Sequence, residues 1–143
     1  MDVIVTERKS ATWIRLNRPE RRNAFDPEMA LEIVNAIDGA TASRAVVITG
    51  SSGSFCAGGS LTSLAHPTER EMRYMYEGSL RLFDAIRRCP RPVIAAVNGA
   101  AAGGGNELIV ACDLAIASKS ATFGQTGPRV GSAPVTGATN VMG

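Results

Sequence analysis

The sequence has no long hydrophobic run, no excess of charge of one sign and no cysteine pattern. Each absence removes a class of protein. No apolar stretch approaches the length needed to cross a bilayer, and the opening Met-Asp-Val-Ile-Val lacks the basic segment and apolar core of a secretion signal. A formal net charge of +2, with the arginines scattered apart from small clusters at residues 18–22 and 87–91, is too small to argue for nucleic acid. The three cysteines, Cys56, Cys89 and Cys112, are odd in number and have no metal-ligand spacing. They read as reduced thiols in a cytoplasmic protein, with Cys56 a small buried apolar residue rather than a nucleophile. The single histidine, His66, stands before Pro67 in a loop and is given no role. No low-complexity linker interrupts the chain, so residues 1–143 are expected to form one soluble domain, enough for a real core at 45% hydrophobic content.

What the sequence does have is glycine in informative places. Residues 93–97 form a short apolar run of strand type after Pro92, and Asn98-Gly99 breaks it. Gly103, Gly104 and Gly105 follow, just before an apolar segment at residues 108–111 whose spacing suits a buried helix. Without Cβ atoms, such a backbone lets another molecule lie directly against it. The first N–H groups of a helix lack internal partners and sit at the electropositive end of its dipole. Together these features make a socket for an anion, or for an oxygen that becomes anionic during a reaction, with Glu107 in the first turn beside it. The same residues also read as a tight strand-to-helix turn carrying an ordinary glutamate.

The rest of the pattern is alternating strand and helix. Residues 3–5 and 11–16 read as strands, the second with Ile14 and Leu16 on one face and Trp13 and Arg15 on the other. Residues 17–25 form a polar, basic loop that is either a phosphate contact or a solvated turn. Asp26-Pro27-Glu28 is a helix start, and Ala30, Ile33, Val34 and Ile37 continue it to Gly39. Residues 45–49 are a strand buried on both faces, running into the glycine-rich turn Gly50 to Ser60. Residues 68–88 are helical, with Met72, Met75, Tyr76, Leu80, Phe83 and Ile86 as an apolar side expected in the core. Short strands follow at residues 114–117 and 121–123. Strand, glycine-rich turn and helix thus recur twice, and two such turns can present two N–H groups to one oxygen.

Four segments, taken together, resemble the crotonase (enoyl-CoA hydratase/isomerase) superfamily: Asn17-Arg18-Pro19 through Asn23-Ala24-Phe25; Phe55-Cys56-Ala57-Gly58-Gly59; Pro92 through Asn98-Gly99 to Gly103-Gly104-Gly105-Asn106-Glu107 and Cys112-Asp113; and Phe123-Gly124-Gln125. The resemblance implies an α/β fold, a right-handed superhelix of strand-strand-helix units. It also implies an acyl-CoA substrate whose thioester oxygen meets two backbone N–H groups, Gly59 and Gly104, with Glu107 as the proton-moving carboxylate. Arg22, Ala24 and Phe25 would lie along the coenzyme A nucleotide. Ala57, Gly58, Ser60, Leu61, Ala100, Ala102, Gly103, Gln125, Thr126, Gly127 and Ser132 would line the substrate. No metal and no separate cofactor are implied.

Gly127 stands where the hydratases have a second glutamate, and Ser60 where aspartate is common. Residues 124–132 are instead similar to dihydroxynaphthoyl-CoA synthases, in some of which bicarbonate near the matching glutamine and glycine replaces a carboxylate. That likeness carries an alternative, ring-forming or ring-opening chemistry on an aromatic or alicyclic CoA ester. A third reading is a non-catalytic acyl-CoA-binding or assembly protein. Relative to the family the chain is expected to lack the C-terminal helical region, the part that builds trimers or dimers of trimers.

Overall fold

The alternation in Ala11–Leu16 (β2) sets the first layer. Ile14 and Leu16 are fully buried while Arg15 is exposed. Val3–Arg8 (β1) runs antiparallel to β2, longer than the three residues expected from the sequence. The computed structural model describes residues 1–60, 67–131 and 133–134, leaving aside the side chains of residues 128 and 130. Leu61, His66, Ser132 and the segment 135–143 therefore lie outside the described residues.

Pro27–Gly39 (α1) starts as its sequence dictates: the Asp26 side chain accepts a hydrogen bond from the Met29 amide, with proline in the first turn. The helix lays Met29, Ala30, Ile33 and Ile37 on the core. Ala45–Gly50 (β3), buried on both faces at Val46, Val47 and Ile48, leads through a turn to Ser54–Cys56 (β4). Glu69–Arg88 (α2) follows, closed at its start by a reciprocal pair of hydrogen bonds between Thr68 and Glu71. The next unit repeats the order: Val93–Val97 (β5), Ala100–Ala102 (β6) and Gly104–Ala111 (α3). Leu114–Ala117 (β7) and Phe123–Gly124 (β8) come last, followed by a 3-10 turn at Gly127–Val130.

Each unit delivers one strand to each of two sheets. The larger sheet has the order β1-β2-β3-β5-β7 and the smaller β4-β6-β8, and every pair except β1–β2 is parallel. The chain therefore advances as a spiral of strand-strand-helix units. The three-residue strands β4 and β6 were not expected from the sequence; they exist because parallel neighbours complete them, not because of local pattern. The α2 stripe also needs correction. Leu80 is 49% exposed, whereas Phe83 and Ile86 are buried as expected and are joined by Leu82 and Ala85. At the far edge of the sheets Leu114, Ile116 and Phe123 are exposed.

One polar cluster ties the start of the chain to α1. The buried Arg18 guanidinium donates to the Asp2 and Asp26 carboxylates and to the Ala24 carbonyl. Burial alone would raise the Asp26 carboxyl, but the Arg18 hydrogen bonds and the Met29 amide outweigh it and hold it below the usual range. A lowered carboxyl contributes stability that is present above the unfolded value, about 3.9, and lost as pH falls through the folded one. Asp26→Asn keeps a competent helix cap but leaves Arg18 one carboxylate short. The expected loss is about 1–3 kcal/mol at pH 7 and smaller at pH 3, below the unfolded value. Urea unfolding at both pH values checks this; an equal loss at both would contradict it.

Candidate active site

The site is built where the two glycine-rich turns meet. β4 ends at Cys56, and the backbone continues through Ala57 to Gly58, whose φ of +97° is a conformation that side chains resist. A methyl placed on Gly58 would stand 2.8 Å from the Gly104 amide nitrogen and 2.8 Å from the Ala102 carbonyl oxygen. One placed on Gly104 would stand 3.3 Å from the Gly59 amide nitrogen and 3.2 Å from the Phe25 ring. At Gly105 it would overlap the Cys56 carbonyl. The first turn of α3 is therefore pressed against the end of β4, with Gly59 and Gly104 on the same side of the molecule.

The basic loop is locked to the same turn. The Ala57 amide donates to the Arg22 carbonyl, the Phe25 amide to Gly58, and the Ser60 amide to Phe25. Asn23, fully buried, donates from its side chain to the Ser51 and Ser54 carbonyls. Arg22 is exposed and closes the 3-10 turn Pro19–Arg21 in a left-handed conformation. The residues expected along a nucleotide and those expected around a thioester are thus one hydrogen-bonded unit.

A cavity of about 290 Å³ opens over this junction. Of the residues expected to bind substrate or act on it, Phe25, Ala57, Gly59, Gly103, Gly104, Glu107, Thr126 and Gly127 line it. Glu107 lies on the first turn of α3, is only 4% exposed, and is the one carboxylate among the described residues lining the cavity. Gly58, Ser60 and Ala24 are buried in the supporting turns; Arg22 and Ala100 are exposed and Ala102 is half-buried. Gln125 does not line the cavity but donates from Nε2 to Glu107 Oε1 at 3.0 Å. Leu61 and Ser132 lie outside the described residues.

Sequence reasoning missed the opposite wall. Met72, Met75, Tyr76, Ser79 and Phe83 of α2 line the cavity, together with Pro67. Met72, Met75 and Tyr76 were expected in the core, yet they are half-buried and face open space. The Met75 methyl is the nearest atom facing Gly59, 4.0 Å from where a side chain there would begin. Phe25 and Phe83 meet edge to face, centroids 6.4 Å apart, and fix the floor. Cys56, fully buried, has its thiol pushed up to about 12 by that burial, the Gly58 amide offsetting part of it, so it is inert.

The chain belongs to the enoyl-CoA hydratase/isomerase family, whose model matches residues 6–143. It is 40% identical over 135 residues to a Thermus thermophilus protein named "Putative enoyl-CoA hydratase", covering 90% of this chain and 53% of that protein. It is 38% identical over 141 residues to 6-oxocyclohex-1-ene-1-carbonyl-CoA hydrolase of Syntrophus aciditrophicus, covering 92% of this chain and 36% of that protein. Its fold superposes on the crystal structure of an enoyl-CoA hydratase from Polaromonas sp. JS666 with a TM-score of 0.91 at 37% identity, over 96% of this chain and 56% of that one. The fold is the crotonase-like spiral. The chain spans a third to a half of the length of these curated relatives.

The junction makes a paired test of packing. Gly53 also has positive φ, +75°, but a methyl there meets nothing within 4 Å. Gly53→Ala should cost about 1 kcal/mol of backbone strain, and Gly58→Ala at least about 2 kcal/mol more, because the turn must also move off Gly104. Urea unfolding of both measures the difference; equal costs would contradict the close approach.

Proposed function

We propose that the protein acts on an acyl-CoA thioester through an enolate, with the thioester oxygen accepting from the Gly59 and Gly104 amides and Glu107 moving the proton. The contact between the Gly58-Gly59 turn and Gly104, beside a buried carboxylate in one cavity, is the observation that carries this reading. Negative charge developing on the oxygen is stabilised by two fixed donors, one of them at the electropositive start of α3. Isomerisation of a 3-enoyl thioester follows directly. Ionised Glu107 removes a C2 proton, the electron pair passes to the thioester oxygen, and the proton returns at C4 as the enolate collapses to the 2-enoyl product. Hydration uses the same hole: water oxygen bonds C3 as Glu107 takes one of its protons, the C2–C3 pair moves onto the thioester oxygen, and Glu107 then gives that proton to C2 as the enolate collapses, the other water proton staying on the new C3 hydroxyl. Met72, Met75, Tyr76 and Phe83 hold the acyl chain, and Arg22 reaches a coenzyme A phosphate. No separate cofactor enters either reaction.

A second reading has one specific support. The similarity to an enzyme named for an alicyclic CoA ester, together with Gly127 in the cavity wall, favours ring chemistry on such an ester. Bicarbonate near Gln125 and Gly127 would supply the missing carboxylate, and a rate that responds to added bicarbonate is its mark. Indifference to bicarbonate removes that version.

For the main reading, Glu107→Gln should lower kcat on crotonyl-CoA or a 3-enoyl-CoA by about 10²–10⁴-fold, with KM little changed. Steady-state kinetics on the two substrates checks this. An unchanged kcat would remove Glu107 from the mechanism.

A further inference from the structure

Among the described residues, one buried side-chain polar atom has no hydrogen-bond partner: Gln125 Oε1. The other end of the same amide donates to Glu107. Gln125 is held in place by its main chain, since Gly124 pairs with Ala102 and its carbonyl accepts from the Gly103 amide at the start of α3. Buried polar atoms are seldom left unsatisfied, so an orphan beside the proton-moving carboxylate calls for an explanation.

The explanation lies in what Glu107 must do. Gly127 brings no side chain to the cavity, and Glu107 is the one carboxylate lining it among the described residues. On the reading above, this group is ionised in one half of the cycle and neutral in the other. An ionised carboxylate needs a donor, whereas a neutral carboxyl needs an acceptor for its O–H. A primary amide is both, and a half-turn about its last torsion, which has broad two-fold wells, exchanges the two. In the orientation present no donor meets Oε1, so that end of the amide contributes no hydrogen bond that would resist the half-turn. Glu107's own charge then decides.

We propose that Gln125 is a positioning residue whose amide follows the protonation of Glu107, donating from Nε2 to the carboxylate and accepting at Oε1 from the carboxyl. This proposal rests on the functional reading above. It gives a single buried carboxylate a hydrogen-bond partner in both charge states, the task that a second glutamate would otherwise share. α3 packs on β4, β6 and α2. Of the residues these bring to the site, Cys56 stays neutral through burial, and Tyr76 is the other ionisable side chain in the cavity wall among the described residues.

The test is the pH dependence of kcat/KM in the full protein for wild type, Gln125→Leu and Gln125→Glu. Leucine removes the donor, and glutamate, nearly the same size, replaces it with a like charge. Both should lower kcat by about 10- to 100-fold, with KM within about twofold. Both should also move the acidic limb upward by about one pH unit, because the ionised form of Glu107 no longer accepts from the Gln125 amide. In a Glu107→Gln background, Gln125→Leu should add little further loss. A limb that stays in place in both variants, or losses that multiply in the double variant, overturns the proposal while leaving the functional reading standing. A wild type inactive on every CoA thioester tried overturns both. If Gln125→Leu does not fold, the near-isosteric Gln125→Glu carries the test alone.

Discussion

The architecture around the site depends on one steric constraint, the absence of side chains where the end of β4 meets the start of α3. Gly58 lies against the Gly104 amide, Gly104 against the Gly59 amide, and Gly105 against the Cys56 carbonyl. Any side chain at Gly58 or Gly105 pushes the two units apart, and one at Gly104 crowds the turn. Keeping them together puts two strand-to-helix turns, which belong to successive turns of the spiral, within reach of one small ligand group. The two sheets exist to deliver those turns. β3 and β5 pair in the larger sheet and β4 and β6 in the smaller, so the turns following β4 and β6 arrive side by side.

The supporting polar network follows from this placement. Three backbone hydrogen bonds join the 22–25 loop to the turn at residues 57–60, and Asn23 ties the same loop to the turn that precedes β4. Arg18 then fixes the loop to the N-terminus and to the first turn of α1. A chain of short-range interactions thus runs from the first residues to the cavity. Rigidity of this kind is what electrostatic stabilisation of a charged intermediate requires, because donors that must reorient contribute less.

Much of the candidate site's geometry was legible because its signals are local. Three consecutive glycines followed by Glu107 mark a helix start with an acid beside it, and the Gly50 to Ser60 turn announces itself by composition. Asp26-Pro27 placed α1 to the residue. The cavity's other wall was not legible. A stripe of Met72, Met75, Tyr76 and Phe83 shows which face of α2 avoids water, but not whether that face meets other side chains or an open cavity. The strands β4 and β6 escaped notice because three residues carry no period, and only parallel partners far along the chain make them strands. The Gln125–Glu107 hydrogen bond spans 18 residues and depends on β8 pairing with β6. Nothing in the local sequence around either residue encodes it.

The central claim is that one oxygen of the substrate accepts from two amides on neighbouring turns of the spiral. A crystal structure of the protein with a non-reactive acyl-CoA thioester tests it most directly. The account predicts the thioester oxygen at about 2.7–3.1 Å from both the Gly59 and Gly104 nitrogens, with Glu107 facing the carbon beside the carbonyl. A thioester oxygen that meets neither amide, or a carbonyl bound on the far side of α2 from Glu107, would contradict it.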